Sequence, residues 1–174
     1  MAAQNVSGPV NVTCSFVETV SAGLVVPISA ACTAAFSANF VYGTGAANAL
    51  DTIYAKSLSL AGAATHIDLY AFTDPLGNSV SMARCRFWFV WVTTTTAAYI
   101  VNVYTRTGTD PVTWLPITTT GALWCPPGGM LMGVDPISTT TNGWVVSSSA
   151  YDFTLDPGAN TVACNVVIAG NSAA

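Results

Sequence analysis

Residues 80 to 106 constrain the fold of this chain more tightly than any other stretch. Val80 to Val92 ends in Arg84-Cys85-Arg86-Phe87-Trp88-Phe89-Val90-Trp91-Val92; Thr93 to Thr96 follow, then Ala97-Ala98-Tyr99-Ile100-Val101-Asn102-Val103-Tyr104-Thr105-Arg106. Two runs rich in aromatic and β-branched residues around a short polar tetrad predict two strands joined by a hairpin or tight β connection. From Phe87 to Val92 both parities are apolar, which predicts a central strand buried on both faces. A strand of that kind needs partners on both edges, so the chain is expected to be a β-protein built around it.

The rest of the chain agrees. Val6, Val10, Val12, Cys14 and Phe16 share one parity against Asn11, Thr13 and Ser15, and residues 52–60, 66–72 and 161–169 alternate in the same way. Thr73-Asp74-Pro75-Leu76-Gly77-Asn78, Gly108 to Pro111, Pro126-Pro127-Gly128-Gly129, Asp135-Pro136 and Asp156-Pro157-Gly158 read as turns, because Pro presets φ and Gly or Asn accepts a positive φ. Turn signals about every 8 to 12 residues, with Thr at 23 positions and no long helical period, predict an all-β fold. The expected form is a single antiparallel β-sandwich, jelly-roll-like or immunoglobulin-like. Residues 1–50 are looser, with an Ala-rich patch at 30–35 that reads as a helical turn, a reading that the flanking Ser, Thr and Pro weaken. They are expected to form an N-terminal arm or peripheral strands, and 51–174 the sandwich core.

With 174 residues the chain has the length of one domain. Charged residues make up 7% against a typical ~25%, with one Lys (Lys56), one Glu (Glu18) and one His (His66). Surface charge is what keeps ordinary monomers apart. A chain without it either clothes itself in small polar residues or buries its surface against other copies or a partner. A formal net charge of −4 argues against nucleic acid, which needs clustered Lys and Arg. The uncharged stretches 19–50 and 87–105 are too interrupted by Ser, Gly, Pro, Asn and Thr to read as membrane spans. The first residues lack a basic segment followed by an apolar one, so the expectation is either cytosolic synthesis or a signal already removed, and the dispersed cysteines favour the first.

Chemistry is expected to be absent. The five Cys (14, 32, 85, 125, 164) are dispersed without metal-ligand spacing, and Cys85 and Cys164 read as core thiols. His66 and Asp68 share a strand face, but no nucleophile elbow accompanies them. The Asp residues fall mostly in turns, where capping explains them. No catalytic residue, metal or cofactor is expected. Arg84 and Arg86 are expected to pair with Asp68 or Asp152 on neighbouring strands or to meet an acidic patch on a partner. Trp114, Trp124 and Trp144 near turns, with Pro127, complete the candidate interface, since Trp anchors many protein contacts.

The order His66-Ile67-Asp68-Leu69, Thr73-Asp74-Pro75-Leu76-Gly77, Val80-Ser81-Met82-Ala83-Arg84, a hydrophobic strand pair, Pro127-Gly128-Gly129, Gly143-Trp144 and a closing strand ending at Gly170 resembles small β-sandwich virion proteins of tailed bacteriophages. The likeness covers roughly residues 66 to 170. It implies a capsid decoration, or cement, subunit made in the host cytoplasm. Such subunits oligomerise, often as trimers, on the major capsid protein and stabilise the head at its outer surface. The rival expectation is a carbohydrate-binding or host-receptor-binding β-sandwich module of a tail or secreted protein, with Trp114, Trp124 or Trp144 as its platform.

Overall fold

The computed structural model describes residues 8–20, 28–42, 49–105, 112, 114–115, 121–135 and 144–172; over 8–20 and 28–42, and at residue 49, only the backbone is described. Among these residues there is no α-helix. The described residues are all-β, and apart from one two-residue parallel pairing their sheets are antiparallel, in the manner of a β-sandwich. The turn expected at 108–111 lies outside the described residues.

The first two described strands are β1 (Gly8–Val20) and β2 (Ile28–Tyr42), and β1 pairs antiparallel with residues 28–40 of β2. The Ala-rich patch is thus strand rather than a helical turn. Cys14 stands opposite Ala34 and Phe16 opposite Cys32. β3 (Ala49–Leu50) joins β2 in parallel and leads into β4 (Thr52–Ala61).

The sandwich follows. β5 (Thr65–Asp68), β6 (Phe72–Thr73), β7 (Ser79–Val80), β8 (Arg84–Val92) and β9 (Val101–Tyr104) precede β10 (Leu123–Cys125), β11 (Met130–Val134), β12 (Trp144–Val145), β13 (Asp152–Asp156) and β14 (Thr161–Asn171). One sheet runs β10-β9-β13-β5; the other runs β11-β8-β14-β4, with β12 continuing the β11 edge of β8. β5 stops at Asp68 because its carboxylate accepts the amides of Tyr70 and Ala71 and turns the chain. The small β6–β7 ladder flanks the Asp74 turn, in which Gly77 has φ 87°.

β8 is central, as its composition predicts, but β9 is not its partner. β8 has β14 on one edge and β11 and β12 on the other, so neither edge is open to β9. Thr93 to Ile100 instead carries the chain to the opposite sheet. The Thr93 hydroxyl donates to Ala163 O at 3.1 Å, and the Thr94 hydroxyl accepts the Ala163 amide at 2.9 Å. The turn that follows has Tyr99 N on Thr96 O, with Ala98 at φ 71°.

The core lies between the sheets: Trp88, Val90 and Val92 from β8 and Val166 and Ile168 from β14 meet Val103, Phe153 and Leu155. Trp88 meets Phe153 edge-on at 5.8 Å between ring centres, directly across the two layers. Cys85, Cys125 and Cys164 are buried free thiols. Burial pushes all three above the ordinary thiol range, Cys164 to about 11. At neutral pH they are protonated core side chains without nucleophilic character.

Candidate functional site

The two outer faces of the sandwich differ in chemistry. On the five-stranded sheet the register stacks three cross-strand rows: Met130-Trp91-Asn165-Ser57, then Met132-Phe89-Val167-Ala55, then Val134-Phe87-Ala169-Ile53. Ten of these twelve side chains are apolar. The third row, with Leu50 of β3, forms a small second cluster around buried Ala169. The first row is open, with Trp91 41% and Met130 60% exposed. β8 is therefore not buried on both sides as its composition suggests: its inward residues are sealed, while outward Phe87 and Phe89 stay half-buried and Trp91 is exposed.

The outer face of the four-stranded sheet is polar. Trp124, Asn102 and Asp156 stand in one cross-strand row, and Tyr104, Thr154 and His66 in the next. His66 does not pair with Asp68. Its Nδ1 lies 3.0 Å from Asp152 Oδ1 and 2.9 Å from Thr154 Oγ1, while the Thr154 hydroxyl donates to Asp152 Oδ2 at 2.5 Å. That hydroxyl is already committed to a carboxylate, so the cluster acts as a brace between β5 and β13. Among the described residues no group of three His, Cys, Asp or Glu is placed to hold a metal, and no helix is long and apolar enough to cross a membrane.

The candidate interface residues scatter. Trp114 and Trp144 stack on each other at 5.0 Å with planes 17° apart, half-buried against Phe153 and the core, and the Trp114 indole donates to Val145 O. They form a packed corner rather than an open platform. Trp124 alone of the three is open, 68% exposed on the edge strand β10. Pro127 sits half-buried in the turn from β10 to β11, where Gly128 has φ 69° and the Gly129 amide returns to Pro126 O.

Arg84 is half-buried and Arg86 fully buried. The cross-strand pairing expected with Asp68 or Asp152 is not formed by the register, because those residues belong to the other sheet. Arg86 is the extra residue where the β8–β14 register shifts: Ala169 faces Phe87 and the next residue, Gly170, faces Cys85. Burial pulls the Arg86 pKa down, and neighbouring Asp135 acts in the opposite direction. Its charge is internal and not available to a partner's surface.

Sequence reasoning missed Phe89, Trp91, Met130 and Met132 as surface residues. Parity alone shows that they share a face; whether a second layer covers that face is decided by topology. No family model, curated protein or solved structure matches this chain.

Proposed function

We propose that this protein is a non-enzymatic virion structural protein, a capsid decoration (cement) subunit that oligomerises, with a trimer as the expected state, and stabilises a phage head by covering its major capsid protein. The observation that carries the reading is the apolar outer face of the five-stranded sheet in a chain with 7% charged residues. Contiguous exposed apolar surface of this kind marks protein contacts, and no charge stands on the three rows to oppose a second copy. The β1–β2 hairpin adds to this. Its register sets Val12 opposite Phe36 and Phe16 opposite Cys32, with Asn11 opposite Ser37 on the alternate parity. Among the described residues its only further strand partner is the two-residue β3. Two strands alone are marginal in water, so an arm with one apolar parity fits intersubunit material.

Burial at ~25 cal/mol per Å2 over contacts of ~1,000 Å2 offsets the cost of one association by a modest margin. Repetition over many subunits on a shell turns that margin into stability. The experiment mixes the purified protein with expanded empty capsids. Co-sedimentation together with a raised capsid melting temperature is the expected result; a protein that stays in the supernatant and leaves the melting unchanged would sink the proposal.

A further inference from the structure

Trp124 is the most exposed large apolar side chain among the described residues, at 68%, and its surroundings differ from those of Trp91. Trp91 stands between Met130 and Asn165, with the apolar row of Met132, Phe89 and Val167 beside it. Trp124 stands in a row with Asn102 and Asp156, beside a row of Tyr104, Thr154 and His66. A side chain that exposes an aromatic face and whose cross-strand row among the described residues is polar is poorly placed to anchor an apolar protein contact, where hot spots are ringed by water-excluding groups. It is well placed for a ligand with one apolar face and a hydroxylated rim.

The polar members of the row are arranged for that use. The Asp156 carboxylate is held at both oxygens: Oδ1 accepts the Gly158 amide at 2.8 Å and Oδ2 accepts the Tyr104 hydroxyl at 3.3 Å. Each oxygen keeps a further lone pair for another donor. Asn102, half-buried between the two strands, makes no side-chain hydrogen bond among the described residues, and the Trp124 indole N–H likewise has no partner there. Strand spacing puts Trp124 and Asp156 about 10 Å apart across β9, the reach of two linked sugar rings. The backbone of three hydrogen-bonded strands fixes this spacing before any ligand arrives, so little ordering cost falls on binding.

We propose that the Trp124-Asn102-Asp156 row binds a neutral pyranose sugar. The indole stacks on the C–H face of one ring, Asn102 bonds that ring's hydroxyls, and Asp156 bonds those of the ring linked to it. The few placed polar groups set orientation, as in other small-ligand sites. Asp68, Asp152 and Asp156 share this side of the sheet, so acidic sugars are repelled. The row lies on the sheet opposite the apolar face, so sugar binding and subunit assembly use separate surfaces.

The test incorporates 5-fluorotryptophan at the five Trp positions and titrates the full chain with lactose, cellotriose and triacetylchitotriose. The expected result is a saturable shift of the Trp124 resonance, identified by its loss in Trp124→Phe, with at least one sugar. Affinity for that sugar should fall tenfold or more in Trp124→Ala and at least threefold in Asn102→Ala. Three outcomes overturn the proposal: no Trp124 shift with any of the three sugars up to about 20 mM, a level at which even millimolar affinity is visible; a shift confined to other Trp residues; or unchanged affinity in Asn102→Ala. A Trp124→Ala variant whose oligomeric mass changes while its sugar affinity does not also overturns it, by making the row a protein contact. Failure here leaves the assembly reading standing, and a monomeric protein that still binds sugar would separate the two in the other direction.

Discussion

Asp74 shows how a single residue is committed by its turn. It is nearly fully buried, and its carboxylate accepts the backbone amides of Leu76 and Asn78 and the Asn78 side-chain amide. Burial by itself would raise its pKa, but these bonds, with the backbone amide of Gly77, outweigh it and hold the carboxyl below the ordinary range. The carboxylate therefore stabilises the fold above its unfolded value of about 4, and that contribution is lost as pH falls through the lower folded value. Asp74→Ala should be less stable than the parent at pH 7, with a gap that narrows at pH 3; urea unfolding at the two pH values measures it, and an equal gap would contradict the assignment. Gly133 makes a packing demand instead. A Cβ there would overlap the Trp88 indole nitrogen and come within 2.7 Å of the Trp144 ring. Gly133→Ala should cost about 1–3 kcal/mol, read as a lower urea midpoint with unchanged slope. The Asp74 turn was legible because Asp-Pro-x-Gly-Asn carries its mechanism locally. The burial of Arg86 was not, because the bulge that holds it depends on Gly170 lying tight against the Arg84 carbonyl and the Met82 side chain, contacts distant in sequence.

At the scale of elements, the link between β8 and β9 is the informative failure. A polar tetrad between two apolar runs reads as a hairpin, and local pattern carries no sign that both edges of β8 are taken by strands from the C-terminal half of the chain. Those strands are recognisable singly: β14 alternates buried and outward residues from Val162 to Ile168, and the composition of β8 announces a central strand. Their pairing is a matter of loop closure over many residues, which sequence periodicity does not encode. The crossover itself contains a residue its turn does not favour. Ala98 holds φ 71° at the third position of the Thr96–Tyr99 turn, where Gly avoids the steric cost. Ala98→Gly should raise stability by up to about 1 kcal/mol, after the entropy that Gly brings to the unfolded chain is subtracted. Thermal unfolding checks this, and a lowered midpoint would mean that the Ala98 side chain stabilises the fold in some other way.

For the whole molecule, the sandwich was readable from alternation and turn spacing, while the distinction between its two outer faces was not. Parity groups Phe87, Phe89 and Trp91 together, and equally groups Asn102 with Tyr104, but which group lies under a second layer follows only from sheet order. The result is one apolar face suited to assembly and one polar face bearing Trp124. The central claim is that copies of this chain meet through the apolar face. Light scattering of the purified protein, beside its Trp91→Lys, Met130→Lys double variant, tests it most directly. Both positions are open to solvent in the single chain, so the substitutions should leave subunit stability within about 0.5 kcal/mol. The expected parent mass is a multiple of the 17.9 kDa chain, with three the expected multiple, and the variant should be reduced to a single chain. A monomeric parent, or a variant that keeps the parent's oligomeric mass, would contradict it.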